Sequence, residues 1–211
     1  MVTTLPDEFP VFPLGGALLL PGGKLPLNIF EPRYRAMTED ALGAGRLFGM
    51  IQPDAGLAET ANGPALYRVG CLGRLVSFSE TDDGRYLITL LGVSRFRVAE
   101  ELPMQRGYRR VRADLLRFDV AVDAQHCQRD ALLAALRPFF ARRGMEVNWE
   151  SVERMPPQTL VTTLAMVCPL EPAEKQALLE SDDLRAQAEA LLTLLRMDAY
   201  ADDETKSHSV S

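Results

Sequence analysis

Residues 66–102 read LYRVGCLGRLVSFSETDDGRYLITLLGVSRFRVAEEL, two apolar runs rich in Val, Leu, Ile, Phe and Tyr on either side of Thr81-Asp82-Asp83-Gly84. An Asp-Gly pair tolerates the positive φ angles of a tight turn, so the spacing predicts a β-hairpin with arms Leu66–Glu80 and Arg85–Leu102. On the second arm Tyr86, Ile88, Leu90, Phe96 and Val98 have one parity, which predicts one shared face.

The same chemistry extends in both directions. Upstream, Leu47–Gln52 reads as a buried strand, and Val11–Leu14 and Ala17–Leu20 as short strands cut by Gly15-Gly16 and Pro21-Gly22-Gly23. Leu25–Phe30 then leads into a helix. Pro32 suits its first position, where a missing N–H costs nothing. Phe30, Tyr34, Met37 and Ala41 are spaced as one core stripe, and Gly43 and Gly45 end the helix. Downstream, Tyr108–Arg117 is a further strand. Five or six strands in this order predict a small, partly closed barrel or a coiled sheet over residues 1–118.

From Ala124 the apolar period becomes helical. Leu132, Leu133, Leu136 and Phe140 make one stripe, with Pro138 expected to kink or interrupt it. Pro157–Val167, Ala173–Glu180 and a helix bearing Leu184, Ala188, Leu191, Leu192 and Leu195 follow, so 119–200 reads as a bundle of four short helices. Asp182-Asp183 are expected to cap the last one. Residues 201–211 are polar and are expected to form a disordered tail. The fold class is therefore α+β, a β domain followed by helices.

The 211 residues carry a net charge of −6. The imbalance is local: residues 1–117 hold 14 basic against 13 acidic side chains, and 118–211 hold 9 against 16. A concentrated basic face, which phosphate binding needs, is missing at the level of the whole chain. Cys71, Cys127 and Cys168 form no short pair, and only His126 and His208 are available beside them, so no metal site is expected. No cofactor motif is present either. The N-terminus has acidic residues where a signal peptide needs basic ones, and no run approaches the length of a membrane span. A cytoplasmic protein without a membrane partner is the expectation.

Catalytic patterns fail on their own terms. Gly23-Lys24 imitates a phosphate loop, but Leu18 and Leu25 stand where Gly and Ser or Thr are required. His126 and Cys127 are adjacent, which points them about 100° apart on a helix. No nucleophile elbow exists. Two binding surfaces remain. Leu18, Leu19, Leu20, Leu25 and Leu27, with Tyr34, lie near Gly/Pro turns and would form an apolar patch for polypeptide if exposed. Arg95, Arg97, Arg109, Arg110 and Arg112 would line a positive strip for single-stranded RNA, against the plainer reading that they pair with acids. Glu31-Pro32-Arg33-Tyr34-Arg35 reads mainly as a helix start.

Several stretches in order carry a family resemblance: Phe9–Leu14, Leu20–Arg35, Phe48-Gly49-Met50, Val69-Gly70-Cys71, Asp83–Tyr86, Leu91–Arg97 and, in the helical half, Glu174–Glu180 with Arg185. Over about residues 8–197 the chain resembles the amino-terminal domain of the Lon ATP-dependent proteases, most closely its free-standing bacterial versions. The resemblance implies a PUA-like, six-stranded β pseudobarrel joined to a helical bundle. It also implies recognition of unfolded or extended polypeptide, alone or with a protease or chaperone partner. The family's ATPase and Ser–Lys peptidase lie in other domains, so the expectation is a non-catalytic binding module, with nucleic acid disfavoured as a partner.

Overall fold

The computed structural model describes residues 5–116 and 128–207, with side chains described to residue 198. Its organising element is β5 (Tyr86–Gln105), 20 residues long. The amino-terminal half of β5 pairs with β2 (Lys24–Ile29) and β4 (Val69–Glu80), and its carboxy-terminal half pairs with β6 (Tyr108–Leu116). The sheet order is β2-β5-β4-β3-β1-β6, where β1 is Glu8–Pro13 and β3 is Leu47–Ile51. Because β6 returns to β5, five strands close a ring and β2 hangs outside it. Among the described strands only β1 and β3 run parallel. The expected hairpin forms, with Gly84 at φ 76°.

The ring interior holds Phe9, Val11, Leu47, Ile51, Leu72, Phe96, Val111 and Ala113. Phe96 fills it only because two neighbours are glycines. A Cβ on Gly70 would lie 2.4 Å from the Phe96 ring, and one on Gly49 2.7 Å away.

The expected single face of β5 is split. Leu72 pairs with Ser94 while Gly73 pairs with Gly92, so Val93 is an extra residue, a β-bulge. One inserted residue reverses the parity of everything beyond it. Tyr86, Ile88 and Leu90 therefore face a second core outside the ring, whereas Phe96 and Val98 face the interior. The same reversal turns Arg95 outward.

The second core joins the outer sheet face, helix α1 (Pro32–Gly43) and the helical part of the chain. Pro32 opens α1 as expected, and Tyr34, Met37 and Ala41 are buried. Phe30 departs from its predicted place. It precedes the helix and is 63% exposed. Ala17–Leu20 is also not a strand. It crosses the sheet face at Gly73 and Gly92, which pair with each other; the Leu20 carbonyl oxygen lies 2.0 Å from where a Gly92 Cβ would stand. Paired strand glycines mark this close backbone approach.

Among the described residues five helices follow rather than four: α2 (Arg129–Arg142), α3 (Trp149–Arg154), α4 (Pro157–Val167), α5 (Pro172–Glu180) and α6 (Leu184–Ser207). Prolines start α4 and α5, and Glu171 and Glu174 form a reciprocal capping box on α5. Asp183 accepts from the Ala186 N–H to cap α6. The stripe Leu184, Ala188, Leu191, Leu192, Leu195 is fully buried. Pro138 does not interrupt α2. It and Ala134, whose carbonyl loses its helical partner, lie on the exposed face, where solvation lowers the cost of the missing bond. Helix α6 runs to Ser207, into the segment expected as a tail, while residues 208–211 lie outside the described residues. The expected boundary at 118/119 and the His126-Cys127 pair also lie outside them. No helix among the described residues is long and apolar enough to cross a membrane.

Candidate functional site

The residues expected to bind polypeptide divide in two. Leu18, Leu19 and Leu20 are 1–2% exposed, and Tyr34 is buried against Phe12 at 4.1 Å between ring centroids. They belong to the core between sheet and helices, so the expectation of an exposed leucine patch is corrected. Apolar residues beside Gly/Pro turns had suggested a surface; the glycines instead let this segment sink onto the sheet. Leu25 and Leu27, on β2, are half-buried.

The arginine strip is not assembled as a free positive surface. Arg95 is 5% exposed, and its guanidinium donates to the carbonyls of Leu179, Ser181 and Asp182 at the end of α5. Three carbonyls at a helix C-terminus carry partial negative charge, which a guanidinium complements. Burial lowers its pKa, while nearby Asp182, Cys71 and Glu180 oppose that shift. Arg109 is equally buried and donates to Glu101 and to the Pro64 carbonyl. Arg112 pairs with Glu8 and Glu100, and Arg110 lies 3.6 Å from Glu8. Arg97 is exposed beside Arg95, Glu180 and Asp182. The plainer reading, pairing with acids, describes most of these contacts, but the acids lie largely in the β domain rather than the helical half.

Helix α5 is held along its length by buried polar groups that pattern reading did not single out. Gln52 donates to the Pro172 carbonyl and to Gln176, and accepts from the Gly16 N–H. Gln176 donates to the Val69 carbonyl, and Lys175 to the Gly16 carbonyl at 2.7 Å. Burial lowers the Lys175 pKa. The available signal was a glutamine ending the apolar run Leu47–Gln52. With Arg95, these contacts fix the helical part against the ring. Cys71 and Cys168 are free and buried, and burial pushes both thiols up to about 12, so neither is a nucleophile.

What remains open is β2. Its only strand partner among the described residues is β5. Proline is tolerated in a sheet only where its absent N–H faces away from the ladder. Pro26 therefore places the backbone groups of Lys24, Pro26 and Asn28 on the unpaired edge, because alternate residues point the same way. Lys24, Pro26 and Asn28 are exposed. The outer half of β4 shares this openness, since β3 pairs with β4 only as far as Arg74. Val76 and Phe78 of β4 and Leu87 of β5 are 40–47% exposed.

Where β2 begins, a groove of about 500 Å³ separates the Pro21–Lys24 turn from α4. The α4 wall is Gln158, Thr159, Thr162, Thr163, Met166 and Val167, one face of the helix. Met166 packs so closely on Gly23 that a Cβ there would lie 2.2 Å from its sulfur. This groove was missed from sequence because its two walls lie over 130 residues apart in the chain.

The comparisons with known proteins agree with this architecture. The model of the ATP-dependent protease La (LON) substrate-binding domain matches residues 8–197. The chain belongs to the Lon substrate-binding domain family. Lon protease 2 of Myxococcus xanthus is 28% identical over 90% of this chain, and Lon protease of Anaeromyxobacter dehalogenans is 27% identical over the same share. The chain spans about a quarter of the length of these curated relatives (24% and 23%). Among solved structures, the Lon N-terminal domain protein from Xanthomonas campestris is similar with a TM-score of 0.61, at 24% identity, over 88% of this chain and 97% of that one. The N-terminal domain of Mycobacterium avium complex Lon protease gives a TM-score of 0.67 at 17% identity, over 90% and 98%. These two likenesses establish the Lon N-terminal fold. The expected α+β fold, with a β-rich front and a helical back, is the observed one.

Proposed function

We propose that this Lon-family domain is a non-catalytic polypeptide-recognition module that takes an extended segment as an added strand along the open edge of β2. The observation that carries the reading is that edge, unpaired beside an otherwise closed ring. Strand addition supplies affinity from backbone hydrogen bonds, which makes it tolerant of sequence, as recognition of unfolded chains requires. The half-buried Leu25 and Leu27 remain part of this surface; Leu18, Leu19, Leu20 and Tyr34 support it from below. Pro26 removes one donor from the edge, which limits uncontrolled edge-to-edge association. A protease or chaperone acting on the held segment is the fitting partner, and the free buried thiols suit a reducing cytoplasm.

The test is titration of the protein into a fluorescently labelled, reduced and carboxymethylated polypeptide, read by anisotropy, for wild type and Asn28→Pro. Asn28 directs its N–H to the open edge, so proline there removes a docking donor without breaking the β2–β5 ladder. One lost backbone hydrogen bond, about 1 kcal/mol, weakens binding about fivefold while the melting temperature stays nearly constant. Unchanged affinity in a folded Asn28→Pro protein contradicts the proposal.

A further inference from the structure

We propose that the open edge of β2 is closed reversibly by the outer end of β4 of a second copy of this chain, so that self-association controls access to the polypeptide site. The inference rests on the edge-addition reading above. The sheet has a second unpaired edge among the described residues. β3 accompanies β4 only to Arg74, and the Leu75 N–H is taken by the Arg46 carbonyl. Beyond it every residue from Val76 to Glu80 is exposed.

The ladder fixes which groups this second edge offers. With Pro26 turned outward, Leu25, Leu27 and Ile29 bond to Leu90, Ile88 and Tyr86. The alternate β5 residues Thr89 and Leu87 therefore bond to Ser77 and Ser79. The Thr81 N–H, which donates to the Arg85 carbonyl, continues the same alternation. Phe78 and Glu80 are left with their N–H and C=O groups directed away from β5.

The two edges match in one register. With a second copy's β4 antiparallel to β2 and outward residues opposed, Glu80 of the second copy faces Lys24, and its Phe78 faces Pro26. Lys24 and Glu80 then exchange two backbone hydrogen bonds, and the Phe78 N–H donates a third to the Pro26 carbonyl. Directly opposed residues also bring their side chains together, here opposite charges in one pair and an aromatic ring on proline in the other. Both pairs lie on the face of the first copy that carries Leu87, because Leu87 is opposed to Asn28. Like edges match less well. Two β2 edges would meet the missing Pro26 donor from both sides, and two β4 edges would bring their Glu80 carboxylates together. The contact is therefore head to tail, leaving one β4 edge and one β2 edge free for further copies. Three backbone bonds and one exposed ion pair make it weak, and a polypeptide paired along the whole of β2 displaces it.

Sedimentation velocity of the full chain from about 10 μM to about 1 mM, a span suited to so small a contact, reads the self-association. Lys24→Glu and Glu80→Lys, at exposed positions, should each weaken it at least about fivefold, because like charges then oppose each other. Combining both changes in one chain, or mixing the two single variants, should restore it to within about twofold of wild type. Arg35 of α1 acts on Glu80 within its own copy, and this rescue separates that effect from a contact between copies. Amide exchange at Lys24, Phe78 and Glu80 should slow as wild type is concentrated, and stay fast in Glu80→Lys. Wild type that stays monomeric throughout overturns self-closure, as do single reversals without effect or a failed rescue. If self-closure fails while Asn28→Pro still weakens polypeptide binding, edge addition stands. If association follows the charge reversals while polypeptide binding ignores Asn28→Pro, edge addition fails and control of the polypeptide site fails with it.

Discussion

Replacing Arg95 with alanine distinguishes a clamp from a surface cation. The guanidinium donates to the Leu179, Ser181 and Asp182 carbonyls from a side chain only 5% exposed. A hydrogen bond from a charged donor contributes about 1.5–3 kcal/mol, and bonds from one group are not additive. Some of the freed carbonyls at the α5 end can take water, which offsets part of the loss. The net expectation is about 3 kcal/mol, close to the lower end for breaking a buried charged contact. For a chain of this size each kcal/mol lowers the melting temperature by about 2–4 °C, so the variant should melt roughly 6–12 °C lower. Arg112→Ala is the control. Its pairs with Glu8 and Glu100 are exposed, where water and salt screen them, so its loss should move the melting temperature little. Thermal melts followed by far-UV circular dichroism, with Trp149 fluorescence as a probe of the helical part, read both variants. Equal small shifts for Arg95→Ala and Arg112→Ala would refute the clamp.

Two further outcomes follow from the same packing. Leu19→Ala, in a side chain 1% exposed, should destabilise by about 2–5 kcal/mol in urea titration yet leave polypeptide affinity of the folded fraction within about twofold. Asp40 accepts from the Tyr108 hydroxyl and from Arg106, and these bonds hold its carboxyl below the usual range against the opposing effect of burial. A carboxyl lowered on folding contributes stability that is present above its unfolded value of about 4 and lost as pH falls through the folded value. Melting temperature between pH 5 and pH 2.5 should therefore fall less steeply in Asp40→Asn than in wild type, from a lower start.

Much of the framework was legible because it rests on local chemistry. Asp83-Gly84 made a hairpin, Pro32 began α1, Asp183 capped α6, and the 184–195 stripe lay inward, each from neighbours in the chain. The departures share a different cause. The extra residue at Val93 leaves no compositional mark, yet it reverses the side-chain parity of β5, sends Phe96 into the ring and turns Arg95 toward α5. Apolar character alone did not separate Leu18–Leu20, lying across a sheet at Gly73 and Gly92, from a strand. The arginine strip rested on sequence clustering, while the partners Glu8, Glu100, Glu101 and the α5 carbonyls come from distant segments. The groove needs the Pro21–Lys24 turn beside α4, a juxtaposition that the packing of Met166 on Gly23 creates. Pro26 was the one local sign of an open edge, since it demotes a strand to the margin of a sheet.

Amide hydrogen exchange of Lys24 and Asn28 tests the central claim most directly. Both N–H groups face the open edge of β2 and are expected to exchange freely in the protein alone. Adding saturating carboxymethylated polypeptide should slow exchange at Lys24 and Asn28 by at least about tenfold, with the ladder amides of Leu25, Leu27 and Ile29 already protected beforehand. Saturated binding with no added protection at Lys24 and Asn28, and new protection elsewhere, would show that polypeptide is held on a different surface and that β2 is not the recognition strand.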